Sequence, residues 1–488
     1  MGVLSATTMR NEEIENKKYN DILQQIFTIP LDEEKYLVYA PLKGIAFIGN
    51  TSLVNSIFEH CSRLGTCTPT SNNPSDVPSV GVKDELNFLQ KLDFFQPAPL
   101  PVDEYEQKGV QYDAVILFLT NQCNLRCSYC YASSGEHQTQ QMPWDLAKAS
   151  IDFVMREVVR NHSPIMTLGF HGGGEPTLNW DVLTRATDYA HSLEKKNNIQ
   201  LQVTGAFNGY WPEKVLHYII KNFTELSLSF DGMPSVQNSQ RPAINKKDSF
   251  PRVAKTLHTL DQVQFPYGIR MTVTNDSVCD LAENISFICE NFKPKKIQVE
   301  PAFNVGRAKK NKSTITDLDI FVDQFIRGFK EAEKHQITLF YSGARLDALT
   351  QRFCLAACRA LVVTPDGDIT TCFETYSREH PLSQHFIVGS YRGNRQFFIE
   401  EEKLRHHFSR TIESIPHCEG CFCKWHCAGD CAIKTFSEET IDGFHSTERC
   451  FVNQELIKFF LLNKIKENGG LIWANKYLIS SLPKEKIR

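Results

Sequence analysis

Between residues 113 and 302, short runs of β-branched and aliphatic residues alternate with longer amphipathic stretches, and no other feature constrains the chain as much. A strand, a helix and a second strand in succession suit a crossover onto a parallel neighbour, so the pattern predicts βα units on a parallel sheet. The strand candidates are Asp113 to Thr120, Ile165 to His171, Leu201 to Phe207, Leu226 to Phe230, Ile269 to Thr274 and Ile297 to Glu300. Between the first two, Ile151, Val154, Met155, Val158 and Val159 recur at helical spacing and make one apolar face. Further helices are predicted at Trp180 to Lys195, Pro212 to Lys221, Phe250 to Leu260 and Leu281 to Phe292. Six strands are too few for a closed eight-stranded barrel. The expected fold is therefore α/β, a partial (β/α)6 barrel with its chemistry at the C-terminal ends of the strands.

Upstream, Tyr36-Leu37-Val38-Tyr39 and Ile45-Ala46-Phe47-Ile48 read as a strand pair turned at Pro41 and Gly44, followed by helices at Leu53 to Leu64 and Asp84 to Leu92. Thr66 to Gly81, rich in Ser, Thr, Asn and Pro, reads as a loop. Beyond Arg345 periodicity fades into a cysteine-rich region before a closing helix from Asn453 to Lys466. The 488 residues suit about three domains, with boundaries expected at 1–108 (α+β), 109–345 (the barrel) and 346–488 (cysteine-rich). Lys and Arg total 53 against 57 Asp and Glu, a formal charge of −4 that offers no basic field for nucleic acid. Met1 to Asn20 is polar, and no run approaches the ~18 apolar residues of a membrane span. Of 16 cysteines about half crowd into two short stretches, which points to metal-bound thiolates in a reducing cytoplasm and away from a secreted disulfide framework.

Directly after the first predicted strand comes Cys123-Asn124-Leu125-Arg126-Cys127-Ser128-Tyr129-Cys130-Tyr131, a C-x3-C-x2-C set on a loop. Three thiolates are one short for the four irons of an iron–sulfur cube, which leaves one iron open to a chelating ligand. A zinc knuckle with a distant fourth ligand is the other use of such a set. The loop resembles the defining motif of the radical S-adenosylmethionine (SAM) superfamily, found at the end of the first barrel strand. The resemblance implies that Cys123, Cys127 and Cys130 hold a 4Fe–4S cluster whose open iron is chelated by the amino and carboxylate groups of SAM. It also implies reductive cleavage of the SAM C–S bond and hydrogen abstraction by a 5′-deoxyadenosyl radical, while the protein supplies placement and excludes water. Tyr129 occupies the place of the family's aromatic residue near the adenine. After the second strand, His171-Gly172-Gly173-Gly174-Glu175-Pro176 is similar to the family's GGEP turn, which implies Gly173, Gly174 and Glu175 as SAM contacts. Glycines admit a ligand close to the backbone, and a glutamate accepts bonds from an amino group. The fourth strand ends Ser227-Leu228-Ser229-Phe230-Asp231-Gly232, as in peptide- and protein-modifying members, which implies Ser229 and a later arginine at the SAM carboxylate. Arg252 is the assignment; Arg241 or Arg270 could take the role.

The second group begins at Cys354, with Cys358 close by, and reaches Cys372 through Gly367; Cys418, Cys421, Cys427 and Cys431 follow as C-x2-C-x5-C-x3-C, and then Cys450. This spacing resembles the SPASM extension of radical SAM enzymes, which implies two auxiliary 4Fe–4S clusters and three in all. By that resemblance Cys418, Cys421, Cys427 and Cys450 hold the outer cluster, while Cys372, Cys431 and one or both of Cys354 and Cys358 hold the inner one. With both, the inner cluster is closed and relays electrons, the preferred reading; with one spare, an open iron could bind a substrate thiolate. Cys61, Cys67, Cys279 and Cys289 read as core thiols, and Cys423 as a neighbour of the ligands.

SPASM relatives mostly act on peptides or proteins, so the resemblance implies a precursor peptide as partner, together with an electron donor such as flavodoxin or ferredoxin. In sulfatase-maturating relatives an Asp serving as base follows the cysteine of the G-x4-C element; here Phe373 follows Cys372, and the first acid is Glu374. Phenylalanine takes no proton, which favours the maturases that form thioether or carbon–carbon cross-links in ribosomally made peptides, with Glu374 and His171 as candidate proton acceptors. Residues 31–95 would suit a small module that pairs a leader peptide with a strand edge, or a plain capping subdomain. A sulfatase-maturating type and a non-catalytic iron–sulfur electron carrier remain the alternatives.

Overall fold

The computed structural model describes residues 25–63, 82–354, 356–440 and 443–473; Met1 to Asn20, the Thr66 to Gly81 stretch and Cys67 lie outside these. The barrel strands are β4 (Ala114–Phe118), β5 (Ile165–His171), β6 (Gln200–Phe207), β7 (Glu225–Ser229), β8 (Tyr267–Val273) and β9 (Lys296–Pro301), all parallel. Helices α3 (Trp144–Arg160), α4 (Trp180–Asn197), α5 (Glu213–Asn222), α6 (Phe250–Gln262) and α7 (Leu281–Asn291) connect them, where the alternation of apolar and amphipathic runs places them. Side chains such as Val115, Leu117, Leu168, Val203, Leu226 and Ile269 are buried in one core with Ile151, Val154 and Val158 of α3. Each such burial contributes about 1.5–3 kcal/mol. The opposite, inward-facing positions include Gly169, Thr204, Ser227 and Gln298, small or polar, and they leave the barrel interior open as a cavity.

Among the described residues the sheet does not stop at six strands. Beyond β9 lies the parallel β10 (Thr338–Phe340), reached through α8 (Leu318–Lys334). On the other edge β11 (Ala360–Val363) pairs parallel to β4, and β12 (Asp368–Thr370), β13 (Ile387–Tyr391) and β14 (Phe397–Ile399) follow antiparallel. The cysteine-rich region, whose sequence shows little periodicity, thus enters the barrel sheet itself. These strands have three to five residues, too few for a period-two pattern to register. By contrast, α8 carries Phe321, Val322, Phe325 and Ala332 on one buried face, a helical period present in the sequence.

Ahead of the barrel, β1 (Phe27–Pro30), β2 (Lys35–Ala40) and β3 (Ile45–Asn50) form an antiparallel sheet backed by α1 (Thr51–Arg63) and α2 (Lys83–Lys91); β1 was not foreseen. Gly44 turns the β2–β3 connection with φ 62°, the left-handed region that favours glycine. The closing helix α9 (Arg449–Glu467) buries Val452, Leu456, Ile457, Leu461 and Ile465 and packs on α8 through Phe459 and Phe460 against Phe329. It leads into β15 (Leu471–Trp473), which pairs with β3, so the chain's last described strand completes the N-terminal sheet.

Candidate active site

Parallel register sets Phe118, at the end of β4, beside His171, and Ser229 beside Arg270. The cysteine loop, the glycine-rich turn and Ser229 therefore meet at the C-terminal ends of neighbouring strands, on a cavity of about 730 Å³. Cys123, Cys127 and Cys130 line it, and so do Cys354, Cys372 and Cys431.

Two sulfurs of the first trio face polar hydrogens, and the third lies against the Ser134 hydroxyl oxygen, whose hydrogen goes to Gly173 O. The Leu125 amide lies 3.4 Å and Asn208 Nδ2 3.7 Å from Cys123 Sγ, Arg241 Nη1 lies 3.9 Å from Cys127 Sγ, and Ser134 Oγ 3.4 Å from Cys130 Sγ. Burial, then the neighbouring Cys127 charge, pushes the Cys123 thiol up to about 12. At Cys127 burial outweighs the Arg241 cation and the thiol is pushed up to about 11. Thiols this reluctant to ionise, yet ringed by donors, become thiolates against a bound cation, which fits an iron–sulfur cluster. Among the described residues no three His, Cys, Asp or Glu side chains close around a point as they would on a single metal ion; a cluster takes its thiolates on separate irons.

The loop is clamped from several sides. Arg307 donates from its backbone N–H to Cys130 O (3.0 Å), from Nε to Cys127 O (2.8 Å) and from Nη1 to Ser134 O (3.2 Å), and pairs with Glu136 at 2.7 Å. Tyr129 donates its hydroxyl to Asp231 (2.6 Å), which also pairs with Arg241 at 2.8 Å; the Arg241 guanidinium lies 5.1 Å from the Tyr129 ring. Gly174 passes so close to the cysteine loop that a Cβ there would stand 2.3 Å from Gln122 O and 2.6 Å from Thr120 O, which requires glycine.

The other expected residues are placed as follows. Tyr129, Gly174, Glu175 and Ser229 line the cavity; Gly173 lies behind it, its carbonyl accepting from Ser134 and its Cα against the Tyr376 ring. Glu175 is buried and already accepts from the Asn208 amide (2.8 Å), Thr177 Oγ1 (2.7 Å) and Trp211 Nε1 (3.0 Å); burial still raises its proton affinity. Arg252 is a correction: it is an exposed residue of α6, lies over the Tyr210 ring at 4.5 Å and is not among the residues lining the cavity, whereas Arg241 and Arg270 are. His171 accepts from the Gly172 amide at Nδ1 (2.7 Å), lies 3.1 Å from Arg270 through Nε2 and stacks on Phe373 with ring centroids 5.0 Å apart. Burial and the Arg270 cation hold it down to about 3, so it is neutral near pH 7 and a weak base. Glu374 forms an ion pair with Lys434 at 2.6 Å.

In the cysteine-rich region, burial raises Cys372 well above the usual thiol range, with contributions from Cys431 and Cys354. Burial pushes Cys418 up to about 12, with added contributions from Cys427, Cys421 and Cys450. The fold thus sorts these thiols into a trio on the cavity and a quartet away from it, with Cys423 buried beside Cys421 at 3.3 Å. Cys358 is buried in the main core, where its charge bears on Tyr112, and it is not among the lining residues. Cys61 and Cys289 are buried as expected of core thiols; Cys279 is exposed.

Four residues that serve the site were not singled out from the sequence: Asn208, Asp231, Arg307 and Lys434. Asp231 stands within the quoted fourth-strand motif, and Gly306-Arg307 lies five residues past the last barrel strand, so both had a positional signal.

Residues 117–288 match the family described as the Radical SAM superfamily. Over 177 residues the chain is 31% identical to an uncharacterized protein of Methanocaldococcus jannaschii, covering 36% of this chain and 57% of that one. It is 24% identical over 259 residues to the sporulation killing factor maturation protein SkfB of Bacillus subtilis, covering 52% and 59%. The chain thus spans less than two thirds of these relatives' length. The solved structure of native anSMEcpe with bound AdoMet and a peptide superposes with a TM-score of 0.56 at 17% identity, over 72% of this chain and 99% of that one, a likeness of fold. Among the described residues no helix is long and apolar enough to cross a membrane. With its cysteine loop, glycine-rich turn and parallel barrel meeting at one cavity, the chain carries a radical SAM domain, a family that implies a 4Fe–4S cluster and SAM.

Proposed function

We propose that the chain is a radical SAM enzyme that modifies a ribosomally made precursor peptide, forming a thioether or carbon–carbon cross-link. The observation that carries this reading is the meeting of two thiol trios, Cys123, Cys127 and Cys130 with Cys354, Cys372 and Cys431, on a single cavity. An electron carrier needs no such shared space, while an enzyme that oxidises a bound peptide does. The names of the relatives agree, one a peptide maturation protein and one solved with a peptide bound.

In this reading Cys123, Cys127 and Cys130 hold the cluster that binds SAM; when both are present they supply one-electron cleavage that takes hydrogen from an unactivated carbon. Ser229 at the end of β7 and Arg270 beside it on β8 offer a hydroxyl and a cation for a carboxylate, with Arg241 as the second cation. Glu175 has acceptor capacity left for an ammonium, and the Tyr129 ring, fixed through Asp231, gives a flat wall. Of the two candidate proton acceptors, His171 holds a proton weakly, and Glu374 lines the cavity paired with Lys434. Cys354, Cys372 and Cys431 would hold the inner auxiliary cluster and Cys418, Cys421, Cys427 and Cys450 the outer one, three clusters in all. Residues 1–108 would receive the leader, 109–345 run the radical chemistry and 346–488 carry the auxiliary clusters, fed by a flavodoxin or ferredoxin in the cytoplasm. Phe373 stacked on His171, where sulfatase-maturating relatives place an Asp, weighs against that activity.

The test is anaerobic reconstitution, reduction and addition of SAM, followed by mass spectrometry of a small precursor co-expressed with the enzyme. The expected results are 5′-deoxyadenosine and a loss of two mass units per link. Absence of 5′-deoxyadenosine under several reductants would sink the enzyme reading; a gain of mass would sink the cross-link.

A further inference from the structure

The N-terminal sheet is completed by a distant segment. Strand β15 runs antiparallel to β3 in the register Leu471↔Phe47, Ile472↔Ala46, Trp473↔Ile45. Half-buried Leu471 packs against the N-terminal core of Val38, Ile45 and Phe47, whereas half-buried Ile472, on the opposite face, packs against the main core. The pairing is short: it covers three of the six residues of β3, and on that side no described strand pairs with Ile48, Gly49 or Asn50. Two glycines with positive φ, Gly469 (75°) and Gly470 (120°), separate β15 from α9. At its other end α9 holds Arg449 in the cavity, paired with Asp430 (2.5 Å) and Glu300 (2.9 Å), and next to it Cys450.

A strand edge is a template for another strand, with ladder bonds giving affinity and alternate side chains giving register. Here the chain itself shows that the β3 edge accepts an extended segment with apolar residues on both faces. We propose that β15 is an internal placeholder at the β3 edge, and that an extended peptide with alternating apolar residues exchanges for Leu471–Trp473 there. This rests on the reading that a precursor's leader binds the N-terminal module, and it names the edge and what must leave it. A segment that pairs with all six β3 residues makes more ladder bonds than β15, but it competes with a tethered strand whose effective concentration is of millimolar order. The nineteen residues of α9, about 28 Å of helix, then join the exchange site to the cavity.

The test uses a fluorescein-labelled synthetic peptide of residues 469–488 as the probe, and holoenzyme prepared without air. One variant ends at Asn468, one residue past α9; a second, full-length, carries Ile472→Pro, which keeps the tether but removes a strand conformation and an N–H. The expected result is that the probe binds the shortened chain at least tenfold more tightly than the wild-type chain, with Ile472→Pro between the two. Hydrogen exchange at Ile45–Phe47 should be slow in the wild type, fast in the shortened chain and slowed again by the probe. Equal affinity for all three proteins, no binding to any, or binding that leaves the β3 amides fast would overturn the proposal. Should the shortened chain fail to melt cooperatively, Ile472→Pro against wild type decides alone. Peptide exchange requires no SAM cleavage, so this test and that of the enzyme activity can fail independently.

Discussion

The two thiol trios on the cavity are built in different ways. Cys123, Cys127 and Cys130 share one loop, and the sulfurs of Cys123 and Cys127 each have a donor within 3.9 Å. Cys354, Cys372 and Cys431 come from three separate segments, with the Ala356 amide at 3.4 Å from Cys354 Sγ and the Glu374 amide at 3.4 Å from Cys372 Sγ. The first three sulfurs stand within eight residues of one loop that Arg241 and Arg307 clamp from outside, whereas the second three are brought together from separate segments by the fold. A local site survives perturbation elsewhere, whereas an assembled one reports on the packing of everything that brings it together.

The sharpest way to break this comparison is to remove ligands one at a time. Replacing Cys123, Cys127 or Cys130 by Ala should reduce SAM cleavage to background and lower iron by about four per chain. Cys372→Ala or Cys431→Ala should leave 5′-deoxyadenosine formation in place while peptide product disappears, as iron analysis and chromatography would register. If Cys372→Ala also ends SAM cleavage, the two trios are not separable.

A smaller effect is expected from the arginines beside each trio. Arg449 is buried between Asp430, 2% exposed, and Glu300, so Arg449→Ala strands two carboxylates and should cost about 3–5 kcal/mol. Arg307→Ala should cost less, about 2 kcal/mol, because its partner Glu136 is one-third exposed and rehydrates. Denaturant unfolding of the two metal-free variants gives both numbers; a larger loss for Arg307→Ala would reverse the ranking of local against assembled.

The same contrast explains what could be read from the sequence. Strand β5 has the bounds predicted for it, Ile165–His171, and the other barrel strands fall within a few residues, because each sets apolar residues under the helices in alternation with residues that face the cavity. The first trio and the Gly174 turn were legible because each is carried by a short stretch, eight residues from Cys123 to Cys130 and four from Gly173 to Pro176. What was not legible depends on contact between distant segments. Spacing could not tell Arg252 on the outer face of α6 from Arg241 and Arg270 on the cavity, nor place Cys358 in the core beside Tyr112. Strands β11 to β14 exist because β4 offers an edge, and Leu471–Trp473 becomes a strand because β3 does.

The smallest effect concerns His171, which lines the shared cavity and stacks on Phe373, the neighbour of Cys372. Its folded-state pKa, held down to about 3 by burial and Arg270, lies below the 6.5 of a free imidazole. A depressed pKa means that the unfolded chain binds the proton more readily, so the stability linked to this residue is fully present above pH 6.5. It is lost as pH falls through the window between 6.5 and about 3. At pH 5 the full linkage would be about 2 kcal/mol, and about 1 kcal/mol once allowance is made for a ring that opens on the cavity. His171→Gln should therefore flatten the loss of stability between pH 6.5 and 5 by about 1 kcal/mol in urea unfolding, while leaving stability at pH 8 within about 0.5 kcal/mol. A ring nitrogen resonance that titrates near pH 6.5 in the folded protein would show that His171 takes a proton there, and would return it to the candidate bases alongside Glu374.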